Sequence, residues 1–249
     1  MKPLAAALGF LSVFPLPASR QVQAALARSL PYFPVVGLVF GVTAAALAAA
    51  LSVLLPPAPA SVLLVIALAL LSGGLHVDGL ADTADGFFSS RPKERILEIM
   101  RDSRTGAMGT AAVASVLLLK CAAVASLPPQ WFIPAAFLMP LAGRCSLLLA
   151  MIWLPYARPG GGLATVFGSA RPWHAVWAAA LLGSSSWFVA GGRGLAATVL
   201  VIIATAMLSR WSWRKIRGYT GDTLGATCEI VEAIPALVLA SQLWPGGAR

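Results

Sequence analysis

Apolar positions run through this chain in blocks too long for a soluble fold. From Ser29 to Val77 there is no charged side chain, His76 being taken as neutral. A helix needs ~20 apolar residues to cross the hydrocarbon core of a bilayer. This tract, broken by Pro56, Pro57 and Pro59, holds two crossings joined by a tight turn. Further apolar blocks predict spans near 106–127, 131–154, 173–190, 194–209 and 225–244, following those at 33–55 and 59–76. Pro128-Pro129, Gly160-Gly161-Gly162 and Gly191-Gly192 mark the turns between them. The expectation is an all-α, polytopic transmembrane helix bundle of about 6–7 spans, forming a single integral-membrane domain over residues 1–249. Lys2 followed by the apolar run Leu4 to Phe14 imitates a secretory signal. That run is too short to span, and it predicts a retained interfacial or re-entrant N-terminal segment.

Composition agrees with the pattern and narrows it. Only 11% of the residues are charged and 59% are hydrophobic, against about 25% charged in an average soluble domain. The net charge of +9 does not point to nucleic acid, because no basic patch is interleaved with aromatics. Instead, 14 of the 18 basic residues sit on alternate connections, in the N-terminal segment and in the loops 77–105, 155–172 and 210–224. By the positive-inside rule these connections face the cytoplasm. Cys121, Cys145 and Cys228 lie in apolar surroundings without metal-ligand or disulfide spacing, and read as reduced packing residues.

The acids carry the candidate chemistry. Of nine, six fall between positions 78 and 102 and three between 222 and 232. Asp78, Asp82 and Asp85 follow an i, i+4, i+7 spacing, which places them within a ~60° sector of a helix. Carboxylates on one stripe repel, and a bound divalent cation relieves them; an all-oxygen set suits Mg²⁺, Mn²⁺ or Ca²⁺. The plain alternative is a solvated acidic helix end. The absence of any Lys or Arg between Arg28 and Arg91 weighs against it. In the second patch Asp222 and Glu229 share a helix face if the helix starts near Asp222, with Thr220 or Asp222 as its cap. Glu229 and Glu232 enter an apolar helix, where ionisable groups suggest function; the alternative is that they reach the interface or meet Arg144. Glu94 and Glu98, set among Arg91, Lys93 and Arg95, read as a solvated face. Finally, Arg101-Asp102-Ser103-Arg104-Thr105-Gly106 opens an apolar helix. Arginine forks and free helix N–H groups make it a candidate phosphate cradle.

The chain resembles the cobalamin synthase family, the adenosylcobinamide-GDP ribazoletransferases. The resemblance is carried by Phe10 to Pro17, Phe33-Pro34 with Gly37 and Gly41, and the Gly73 to Gly86 block containing His76-x-Asp78-Gly79-Leu80-Ala81-Asp82-Thr83-x-Asp85. It continues through Leu97 to Gly109, Tyr156-Ala157-Arg158, and Thr220-Gly221-Asp222-Thr223-Leu224-Gly225-Ala226 with Glu229 and Glu232. These motifs span nearly the whole chain in order. The resemblance implies a multi-pass enzyme of the cell inner membrane with its site facing the cytoplasm. Such an enzyme joins adenosylcobinamide-GDP to α-ribazole or its 5′-phosphate, releases GMP and needs Mg²⁺. Beyond its substrates and the lipid bilayer, it leaves room for a homo-oligomer or association with other cobalamin-assembly enzymes. The 157–165 loop lacks acids that relatives often carry, so no metal role is assigned there, and Ala84 stands where a cysteine is frequent, which argues against thiol chemistry.

On this basis Asp78, Asp82 and Asp85, with Asp222 or Glu229, are expected to hold the metal on the pyrophosphate. Asp85 is the expected proton acceptor, with His76 and Asp82 as the other catalytic candidates. Arg101, Asp102, Ser103, Arg104, Arg158, Thr220, Thr223 and Glu232 are expected to line the phosphate and substrate site. Two other readings compete. A CDP-alcohol-type phospholipid phosphotransferase would carry two further aspartates at a spacing that Glu94, Glu98 and Asp102 do not reproduce. A cation-coupled transporter would not gather its acids at one membrane face.

Overall fold

A computed structural model describes residues 2–13, 25–158 and 170–241. The Pro15-Leu16-Pro17 run, the Gly160-Gly161-Gly162 turn, Arg20 and Arg249 lie outside the described residues. The apolar blocks form helices α1 (Pro3–Leu11), α2 (Phe33–Leu54), α3 (Pro57–Leu71), α4 (Leu75–Phe87) and α5 (Lys93–Ile99). They continue as α6 (Ala107–Ala125), α7 (Pro129–Trp153), α8 (Pro172–Ile216), α9 (Gly221–Val231) and α10 (Ala233–Ala240). No strand occurs among the described residues, and Tyr156 and Tyr219 form an isolated parallel bridge. Prolines stand in the first turns of α1, α2, α3, α7 and α8, where a missing N–H costs no helical bond. Five helical stretches are long and apolar enough to cross a membrane, or six if α3 and α4 count as one bent span.

Helix α7 is the axis of the bundle and is buried without a break from Leu138 to Met151. Helix α2 lies against it on Gly37 and Gly41. A Cβ at Gly41 would come within 2.6 Å of the Phe137 carbonyl oxygen, and one at Gly37 within 3.1 Å of the Leu141 Cα. Small residues four apart let two membrane helices touch backbone to backbone, where dispersion rather than the hydrophobic effect holds them. The outer surface is apolar: Val42, Val53, Leu54, Leu70, Phe188 and Met207 are each more than half exposed. A shell of that kind is stable only against hydrocarbon.

Three boundaries differ from the sequence expectation. The second span was expected over 59–76, but α3 stops at Leu71. Gly73 and Gly74, with φ of 61° and 75°, turn the chain, and α4 leaves at 89° to α3. At thirteen residues α4 is too short to cross and runs over the end of the bundle. Helix α8 contains both the fifth and sixth expected spans and doubles back at Gly191 (φ 55°, ψ −135°). A Cβ at Gly183 would lie 3.9 Å from the Thr198 methyl, whereas an unbroken helix would separate these residues by ~22 Å. Its second arm runs to Ile216 rather than 209, because Arg210, Trp211, Trp213 and Arg214 continue the helix as an interfacial belt. The last expected span is broken at Glu232, between α9 and α10. The N-terminal segment is the short helix α1, with Ala6, Ala7 and Leu11 buried and the Phe10 ring stacked on Phe33 at 6.1 Å.

Candidate active site

The site forms where α4 meets α9. The two helices cross on glycine: a Cβ at Gly79 would fall 2.8 Å from the Asp222 carbonyl oxygen, and one at Gly225 3.2 Å from the His76 Cα. This crossing sets the start of α9 directly on the aspartate helix. Thr220 caps α9, accepting from the Thr223 N–H at 3.2 Å, while the Thr223 hydroxyl accepts from the Thr220 N–H at 2.9 Å. The connection after α7 is held beside this cap, because Ala157 N–H donates to the Tyr219 carbonyl and Tyr219 N–H to the Pro155 carbonyl, both at 2.9 Å. That pairing brings Arg158 to Asp222, where its guanidinium donates to Oδ2 at 2.5 Å.

The stripe Asp78, Asp82, Asp85 lies on one face of α4 as its spacing predicts. Its members have different surroundings. Among the described residues, neither the Asp78 nor the Asp82 carboxylate has a hydrogen-bond or ion-pair partner. Burial pushes the Asp82 carboxyl up to about 7, with the charges of Asp78 and Asp222 adding to the effect and Arg158 opposing it. Asp85 departs from its expected role as a free proton acceptor. Its two oxygens accept from the Gly106 and Gly109 N–H groups at 2.6 and 2.8 Å. It therefore caps α6 from another helix, satisfying donors that a helix N-terminus leaves open. Both glycines are needed for that approach, since a Cβ at either would meet the Asp85 carboxylate within 2.5 Å.

Beside this cap opens a cavity of about 540 Å³ lined by Asp85, Arg95, Glu98, Ile99, Arg101, Asp102, Arg104 and Gly106. Asp102 and Arg104 pair in fork geometry at 2.7 and 3.0 Å, and this pairing holds the Asp102 carboxyl down to about 2. Arg101, Ser103 and Arg104 are exposed. Arg95 and Glu98 form an exposed ion pair at 2.5 Å, the solvated face read from the sequence.

Five expected site residues lie elsewhere or are otherwise engaged. Glu229 and Glu232 do not join the aspartates. Both are buried and bind the Lys120 ammonium, and Glu232 also binds Arg144. An uncompensated carboxylate at that depth is too costly, and each finds a cation from a neighbouring helix. His76 is buried against α9, with Nδ1 3.5 Å from the Cys228 thiol. Thr220 and Thr223 have their hydroxyls in the cap. The meeting of Glu232 with Arg144 is the alternative that the sequence offers; Lys120 is the partner that it does not, and its place as a lone cation in an apolar helix is the signal.

Among the described residues, no three His, Cys, Asp or Glu side chains converge closely enough to hold an ion by themselves. The fit to a divalent cation is nevertheless good in kind. Mg²⁺ is commonly bound by one or two carboxylates, water and substrate phosphates. The open carboxylates of Asp78 and Asp82, with Asp222 across the crossing, supply such a set.

The fold and site define a class: a multi-pass α-helical membrane protein with an acidic cluster and an arginine-lined cavity at one end of its bundle. Within that class, the chain belongs to the cobalamin-5-phosphate synthase family, whose model matches residues 3–240. A relative from Roseiflexus sp. is 40% identical over 238 residues, covering 95% of this chain and 88% of its own. One from Desulforamulus reducens is 39% identical, covering 91% of each chain, and one from Clostridium novyi is 35% identical, covering 97% of each. All three are named adenosylcobinamide-GDP ribazoletransferase. No solved structure matches the chain.

Proposed function

We propose that this protein is an Mg²⁺-dependent adenosylcobinamide-GDP ribazoletransferase of the cell inner membrane, with its site facing the cytoplasm. It joins adenosylcobinamide-GDP to α-ribazole or its 5′-phosphate and releases GMP. Membership of the family and the names of the relatives support the reaction. The basic loops flanking α4, α5 and the end of α8 support the orientation. The observation that carries the site assignment is the glycine crossing at Gly79, which sets Asp222 against the α4 aspartates.

The ribose 3′-hydroxyl of the acceptor attacks the phosphorus on the cobinamide side of the pyrophosphate, and GMP leaves. Arg101 and Arg104 hold phosphate oxygens at the mouth of the cavity, where both guanidinium groups are exposed. Asp78 and Asp222 would hold Mg²⁺, which neutralises the pyrophosphate and the departing phosphate. Asp82, flanked by both and with a carboxylate free of hydrogen-bond partners among the described residues, takes the hydroxyl proton. Arg158 orients the Asp222 carboxylate, and Asp85 sets the start of α6 against the aspartate helix.

The test is direct. Purified protein is incubated with adenosylcobinamide-GDP and α-ribazole 5′-phosphate, with and without Mg²⁺, and separately with CDP-diacylglycerol and an alcohol acceptor. GMP release in the first mixture that stops on chelation is expected. CMP release in the second mixture, or no GMP in the first, sinks the reading.

A further inference from the structure

The cluster of Lys120, Arg144, Glu229 and Glu232 takes no part in the chemistry above, yet it is among the most deeply buried groups of the protein. Their side chains are 1–4% exposed. Lys120 comes from α6, Arg144 from α7, Glu229 from α9, and Glu232 from the break between α9 and α10. The ammonium of Lys120 donates to both carboxylates, reaching Glu232 at 2.8 Å, and Arg144 donates to the other Glu232 oxygen. The cluster holds two cations and two anions, so its charge is balanced. The Arg144 guanidinium also lies 4.8 Å from the centroid of the Phe40 ring, which ties in α2. Room for Glu232 comes from Gly143: a Cβ there would sit 2.8 Å from its Oε1.

Asp222, Gly225, Glu229 and Glu232 follow one another at spacings of three, four and three residues along α9 and its end. At ~100° per residue they form one stripe, with Asp222 ~10 Å from Glu229 along the axis. The upper part of that stripe meets α4 at Gly79 and Gly225, and His76 of α4 lies 3.5 Å from the Cys228 thiol one turn further along α9. At the two glycines the contact gives close approach without interlocking side chains, so that part of the crossing is a weak hold on how far α9 slides or turns on α4. Buried polar pairs are the device that sets register in such a contact.

We infer that Lys120, Arg144, Glu229 and Glu232 are positioning residues: they lock the depth and rotation of α9 and so seat Asp222 against the Gly79 face of the aspartate helix. The functional consequence rests on the role proposed above for Asp222; the structural one does not. A slip of one residue would move Asp222 by ~1.5 Å along the axis and turn it ~100° away.

The experiment compares the full-length protein with Lys120→Met/Arg144→Met/Glu229→Met/Glu232→Met, which replaces a balanced network by apolar side chains of similar length. Such replacements commonly leave stability unchanged or raised. Two quantities are read beside the melting temperature: amide hydrogen exchange of the peptide 218–226, and the Mg²⁺ concentration for half-maximal GMP release. The inference expects a melting temperature no lower than that of the parent. It also expects exchange at the start of α9 faster by about tenfold, and a Mg²⁺ requirement raised by about tenfold, the scale of lost orientation around a metal ligand. Parental exchange and parental Mg²⁺ dependence in a folded variant overturn it, and leave the cluster a role in stability alone. Should the quadruple variant not fold, Gly143→Ala in a Cys228→Ala background decides, because it keeps all four charges and, with the thiol removed, its methyl presses on Glu232. Parental exchange at 218–226 in that variant overturns the inference, and faster exchange supports it. If the parent releases no GMP at any Mg²⁺ concentration, the proposed reaction fails, while the exchange measurement still decides the positioning.

Discussion

Two regions of this protein gather carboxylates, and they behave in opposite ways. On α4, the Asp78 and Asp82 carboxylates stand without partners among the described residues, beside Asp222, and the local charge is an excess of negative. On α9, Glu229 and Glu232 are deeper but fully answered by Lys120 and Arg144. Depth alone therefore does not mark an active site. The difference lies in compensation. A cluster whose charges balance needs no further ion, whereas an unbalanced one has a free-energy reason to take up a cation with its substrate. Asp85 stands between these cases. It belongs to the stripe by sequence, but the N-terminus of α6 occupies it.

The largest expected effect breaks the unbalanced region. Asp82→Asn and Asp222→Asn should each lower Mg²⁺-dependent GMP release at least ~100-fold, the lower end of what a proton acceptor contributes, while the detergent-solubilised protein keeps its melting temperature. Near-normal turnover in both would place the chemistry elsewhere. The next effect breaks the balanced region instead. Lys120→Met alone leaves two carboxylates facing one arginine, and should destabilise the fold by about 3–5 kcal/mol. A thermal melt equal to that of the parent would show that the pair is not desolvated as the structure has it. Gly79→Ala then probes the contact between the regions. Its methyl would meet the Asp222 backbone at 2.8–3.0 Å, and forced overpacking costs about 1–3 kcal/mol. GMP release should fall more than tenfold, while the Lys120 cluster holds the helices together; unchanged activity would show that α9 has slack at the crossing.

The smallest effects sharpen the comparison at its edges. Thr220→Ala removes the cap of α9 and should cost about 1 kcal/mol, read as a lower melting temperature. Asp102→Asn removes a fork pair in water, where such a pair is worth about 0–1 kcal/mol. Its melting temperature should not change, so any loss of GMP release would come from Arg104 losing its orientation at the cavity.

Much of the architecture was legible in the sequence. The length and spacing of apolar blocks gave a polytopic helical bundle, and the Gly191-Gly192 pair marked the turn that α8 makes. The i, i+4, i+7 spacing gave the aspartate stripe because helix geometry is local. Boundaries failed where polar residues continued a helix past its apolar block, as at Arg210 to Ile216, or where paired glycines stopped one early, as at Gly73-Gly74. The family motifs named most of the charged residues of the site, but they did not sort them.

What the sequence determined by itself is therefore the solvent and the inventory: a chain that must live in a bilayer, with its few acids in two patches and its excess of cations on alternate loops. Only the tertiary structure decided which acid meets which partner. Asp85 finds the amides of Gly106 and Gly109, Glu229 and Glu232 find Lys120 and Arg144, and Asp222 arrives at Gly79. These encounters join residues 21 to 112 or more positions apart. The energy of a buried charge depends on what stands within a few ångströms of it, and no spacing along one helix records that.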